Sequence, residues 1–73
     1  MENDERLFVI WSFEHNAWWS PERCGYTPDL SAAGRYNEAD AAAIVMQANR
    51  VHLNELMLPL RQAEMFYGTV SER

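Results

Sequence analysis

The sequence predicts a small α+β domain in which an antiparallel sheet packs on one main α-helix. Three observations carry this expectation. The run LFVIWSF, residues 7–13, is dense in the aromatic and β-branched side chains that favour strands. A second such run, AWWS at residues 17–20, follows after a short polar stretch, which is hairpin spacing. The stretch EADAAAIVMQANR, residues 38–50, lacks glycine and proline and is rich in alanine, the best helix former.

Taken in order, residues 1–6 read as a disordered acidic tail, residues 7–60 as a single α+β domain and residues 61–73 as a C-terminal helix or tail. In the first strand Leu7, Val9, Trp11 and Phe13 share one face, and Phe8, Ile10 and Ser12 the other. Both faces are largely apolar, so this strand belongs at the centre of the sheet. His15-Asn16 makes the hairpin turn, with Asn16 suited to a left-handed conformation. The adjacent Trp18 and Trp19 must then point to opposite faces. Pro21 and Gly25 bracket a loop or bulge, after which Tyr26-Thr27 resumes pairing as a short third strand.

Pro28-Asp29 begins a turn, residues 30–33 form a single helical turn, and Gly34-Arg35-Tyr36 is extended. Asn37 is the N-cap of the main helix, about residues 38–49, with Asp40 in the reciprocal position and Glu38 at its positive end. Asp40, Ala43, Gln47 and Arg50 make its water-facing stripe; Ala41, Ala42, Val45, Met46 and Ala48 are expected towards the sheet. Residues 49–54 turn, and residues 55–60 are the last strand, its Pro59 suited to an edge or a strand end. A short C-terminal helix would bury Ala63, Phe66 and Tyr67 and stop at Gly68.

Composition narrows function. A chain of 73 residues buries only about 60% of its unfolded surface. A deep substrate cleft would consume its core, so a non-enzymatic role is expected. The net charge of −5, with six dispersed arginines and no lysine, opposes direct binding to nucleic acid through its phosphates. An acidic start, the absence of a long apolar run and a single cysteine predict a soluble cytoplasmic protein with no membrane contact. Cys24 is expected to be a small buried hydrophobe, although Arg23 beside it would favour a reactive thiolate if it were accessible.

Recognised catalytic and metal patterns are missing. His15, Cys24 and His52 lack ligand spacing, and no cofactor is expected. No flanking signature supports a nucleophile triad, and the three glycines stand alone rather than in a phosphate loop. The feature above background is aromatic. Trp11, Trp18, Trp19 and Tyr26, with Arg23 and Arg35 at the edge, are the candidate binding residues, joined by Tyr36 in the aromatic cluster. The alternative is that these rings only fill a core. Tandem tryptophans on a strand leave one ring on the face away from the helix. That face needs a homodimer, a protein partner or the C-terminal segment to cover it.

The segments IWSFEHNAWWSPERCGYT, AGRYNEADAAAI and NELMLPL together resemble a family of small uncharacterised proteins of phages, prophages and bacterial genomes. The resemblance spans about residues 8–60 and leaves residues 61–73 outside. It implies a context rather than a chemistry: a phage-type accessory factor that binds and inhibits a host protein, its acidic charge matched to a basic surface. A nucleotide stacked on Trp18 or Trp19, with phosphate near Arg23, is the alternative ligand.

Overall fold

The structure is a computed structural model and describes residues 6–50 and 54–68. Residues 1–5 of the expected acidic tail and residues 51–53 of the turn after the main helix, including His52, therefore lie outside the described residues, as do residues 69–73. Strand β1 (Leu7–Ser12) organises the sheet. It pairs antiparallel with β2 (Ala17–Trp19), β4 (Tyr36–Asn37) and β5 (Glu55–Pro59), while β3 (Tyr26–Thr27) extends β2. Trp11 pairs with both Trp18 and Leu56, and Phe8 with both Tyr36 and Pro59. β2 and β4 therefore share one edge of β1, and β5 occupies the other. The fold is α+β.

The hairpin turn is longer than the two residues expected. Ser12 and Ala17 are the last pair, so Phe13 leaves the strand and opens a turn that ends on Asn16 at φ 54°. The left-handed asparagine is where the sequence placed it.

β1 is buried on both faces, as its composition requires. Phe8 and Ile10 pack with Tyr36 against Ala41 and Ile44 of helix α1 (Glu38–Ala48). Val9 and Trp18 pack on the other side with Ala33 and with Ala63 of helix α2 (Leu60–Ala63). Burying each large side chain contributes about 1.5–3 kcal/mol, so the two small cores together hold the sheet between helices. Asn37 caps α1, its Oδ1 accepting from the Asp40 N–H at 2.8 Å.

The helix turns a slightly different face to the sheet than expected. Met46 is 74% exposed, whereas Ala41 and Ile44 are buried and Val45 packs beside them. At 100° per residue Met46 lies about 140° round from Ala41, which takes it off the packed stripe. The C-terminal helix also differs. Ala63 is fully buried, but Phe66 and Tyr67 are exposed, because the chain widens into a π-type turn over Glu64–Gly68. The packed unit thus continues through α2.

The outer edge of β5 is closed by one side chain. The Phe13 N–H bonds the Asn54 carbonyl, so by alternation Leu56 and Leu58 bond towards β1, and Glu55, Met57 and Pro59 point their backbone outward. Asn49, just beyond α1, accepts from the N–H of Glu55 at 2.9 Å and donates to its carbonyl at 2.9 Å. Its Oδ1 also accepts from the Asn54 N–H at 2.8 Å. Pro59 has no N–H to expose. Among the described residues only Met57 keeps both a donor and an acceptor on this edge, which leaves a partner strand little ladder to join.

Candidate functional site

The loop between β2 and β3 shows how the sequence builds the site. Glu22 (φ 60°), Arg23 (φ 57°) and Gly25 (φ 91°) are all left-handed. For the two non-glycine residues this costs roughly 1–2 kcal/mol each. The Tyr36 hydroxyl holds the loop in place: it donates to the Ser20 carbonyl and accepts from the Arg23 N–H at 3.0 Å. The Ser20 N–H bonds the Gly25 carbonyl at 2.9 Å and closes the loop, so β3 re-enters in register with β2.

Gly34 is pressed against the same point. Its N–H bonds the Trp19 carbonyl at 2.8 Å, and a Cβ there would sit 2.7 Å from the Ser20 oxygen and 2.9 Å from the Pro21 Cα. The segment Ala33–Tyr36 is therefore a clasp: Ala33 is buried on one face of the sheet and Tyr36 on the other, Gly34 permits the approach, and Arg35 is left exposed.

On the face away from α1 this clasp borders an open groove of about 920 Å³. Its floor is Trp11, Trp18, Leu56 and Leu58; one wall is residues 28–31 and the other is Glu64 and Tyr67, with Phe13 and Arg35 completing the rim. Trp11 and Trp18 are a non-hydrogen-bonded cross-strand pair, which brings side chains closest. Their rings meet edge-on at 4.9 Å. Tyr67 meets Trp18 edge-on at 5.7 Å. The wall over residues 28–31 is fixed by Asp29, whose Oδ1 accepts from the N–H and the hydroxyl of Ser31 at 3.1 and 2.9 Å.

The six candidate binding residues divide among three places. Trp11, Trp18 and Arg35 line the groove. Trp19 and Tyr26 lie on the α1 face, edge-on to each other at 5.7 Å, with His15 stacked on Tyr26 at 3.8 Å. Arg23 is exposed on the left-handed loop and contributes its backbone to the Tyr36 hydroxyl. Trp18 is only 4% exposed, so neither face of its ring is free to stack a base. The Trp19 indole N–H is buried without a partner among the described residues.

Cys24 is exposed on the loop, not the buried residue expected. The left-handed turn before it carries it away from the core. Burial, with the carboxylates of Glu55 and Glu14 adding to it, raises the Tyr26 phenol above its ordinary value. Sequence reading missed Leu56, Leu58 and Tyr67 as groove residues. The alternation of Leu56 and Leu58 with Glu55 and Met57 was the available signal for the first two.

Among the described residues no group of three or more histidines, cysteines or carboxylates gathers where a metal ion would sit, and no helix is long and apolar enough to cross a membrane. No family model, curated protein or solved structure matches the chain.

Proposed function

We propose that this protein is a non-enzymatic, cytoplasmic binding module that captures a segment of a partner protein in the groove of Trp11, Trp18, Leu56 and Tyr67. The observation behind this reading is the half-covered sheet face. α2 buries Val9 and Trp18, yet Leu56 remains 44% exposed on an apolar, aromatic floor. Apolar ground rimmed by polar groups is the anatomy of a contact surface.

Charge selects the occupant. One guanidinium, Arg35, faces the carboxylates of Asp29 and Glu64 around the groove, and the chain as a whole carries −5. A nucleotide phosphate is disfavoured there, and a segment with apolar anchors and basic flanks is favoured. The resemblance to phage and prophage proteins supports the setting: an accessory factor that occupies, and so inhibits, a host protein with a basic surface. The β5 edge fits this reading, since the longest edge strand offers little ladder for strand addition.

The test is site-specific photo-crosslinking in host cells, with a benzophenone side chain at Leu56 and, as control, at Met46 on the outer face of α1. One dominant adduct from Leu56 and none from Met46 is expected, and it is lost when Glu64→Arg reverses a rim carboxylate. Equal adducts from both positions would defeat the reading. An adduct of twice the protomer mass would identify the occupant as a second copy, making the protein a homodimer.

A further inference from the structure

The α1 face carries a second surface that the groove does not use. His15 stacks on Tyr26 with ring centres 3.8 Å apart, and Trp19 abuts Tyr26 edge-on. Tyr26 is 42% exposed, so part of the stack faces solvent. Beside it stands Glu55, which is only 7% exposed. Glu55 shares the face of Ser12, its non-hydrogen-bonded partner, and Ser12 Oγ accepts from the His15 N–H at 3.2 Å.

Among the described residues the carboxylate of Glu55 has no hydrogen-bond partner. Its two bonds to Asn49 use the backbone alone. Glu14 adds a second carboxylate, and both bear on the Tyr26 phenol. The carbonyl end of α1, which carries no basic residue in its last turn, abuts Glu55 through Asn49. A buried carboxylate, an exposed one and a helix C-terminus all favour a positive charge at this point. The exposed aromatic faces favour a planar one.

We infer that the His15–Tyr26 stack with Glu55 and Glu14 is a receptor for an arginine side chain of a partner protein. The guanidinium lies on the stack and turns its N–H groups to the two carboxylates. Among the described residues Glu55, His15 and Glu14 do not gather as a metal site, and the aromatic stack suits a planar organic cation. This surface is on the sheet face opposite the groove, and its occupancy stands or falls independently of the function proposed above.

The test titrates the ¹⁵N-labelled full chain with the tripeptide acetyl-Gly-Arg-Gly-amide, using acetyl-Gly-Gln-Gly-amide as the neutral control. Saturable shifts are expected at the Trp19 indole N–H, His15 and Tyr26 with the arginine peptide only. Glu55→Gln keeps the shape, removes the charge and is expected to weaken binding at least about tenfold. Should that variant lose its native spectrum, Glu14→Gln and Tyr26→Leu, both at exposed positions, are expected to weaken binding about threefold each. No saturation, an equal response to the glutamine peptide, or unchanged affinity in the variants would overturn the inference.

Discussion

Gly34→Ala puts the clasp to a test in which two effects of opposite sign compete. Gly34 does not sit in the left-handed region, so alanine fits its backbone and would stabilise by about 0.4–1 kcal/mol through the unfolded chain. Against this, the new Cβ would lie 2.7 Å from the Ser20 oxygen, 2.8 Å from the Tyr36 hydroxyl and 2.9 Å from the Pro21 Cα. Two of these atoms are backbone and cannot swing aside. Overpacking of this kind costs about 1–3 kcal/mol, and displacing the Tyr36 hydroxyl strands two polar groups at about 1–3 kcal/mol more. The net loss is about 3 kcal/mol. For a domain of this size that lowers Tm by roughly 12–24 °C.

Thermal and urea unfolding followed by tryptophan fluorescence measure this loss, with Gly25→Ala as the companion. Gly25 has φ +91°, and a methyl group there would meet nothing within 4 Å, so its cost of about 1–2 kcal/mol is purely conformational. A Gly34→Ala protein as stable as the parent would refute the clasp.

Three further outcomes follow from the same geometry. Tyr36→Phe removes the hydroxyl bridging Ser20 and Arg23 and is expected to cost about 1–3 kcal/mol, with trypsin cutting faster after Arg23. Asn49→Ala deletes three bonds to the backbone of Asn54 and Glu55. A loss of about 2–3 kcal/mol in urea unfolding is expected, with concentration-dependent self-association by sedimentation as the β5 edge opens. Tyr26 is expected to ionise above its ordinary value of 10.0, chiefly because of burial and then because of Glu55 and Glu14. The neutral phenol is therefore favoured in the folded state. This contribution to stability is intact below the unfolded pKa and is lost as pH rises through the folded one. Absorbance titration at alkaline pH shows the midpoint, and Glu55→Gln moves it down.

Much of the fold was legible because local rules and tertiary packing agree. The apolar faces of β1 called for a central strand, Asn16 and Asn37 sit at their turn and cap, and the alternation of Trp18 and Trp19 put them on opposite faces. What was not legible depends on contacts distant in sequence. Gly34 looks like any loop glycine until Ser20 is known to lie against it. Cys24 looks like a small core residue until Glu22 and Arg23 turn left-handed before it.

The candidate binding residues are one cluster in the sequence but are dispersed in the fold, because sequence proximity says nothing about which face a ring joins across a loop. Period-two alternation separates Trp11 and Trp18 from Trp19, and the register of β3 then assigns Tyr26 to the side of Trp19. Arg35 reaches the groove only because Tyr36, its neighbour, is committed to the opposite core. Met46 escaped the packed stripe because small alanines blur the apolar face of α1, leaving the angle between residues as the better guide.

The most direct test of the groove is the affinity of the partner captured at Leu56, measured by calorimetry for Leu56→Asp and Met46→Asp. Both side chains are exposed, so both variants keep the fold. If the groove is the contact surface, Leu56→Asp weakens binding by at least about 30-fold and Met46→Asp leaves it unchanged. Equal affinities for the two variants would contradict it.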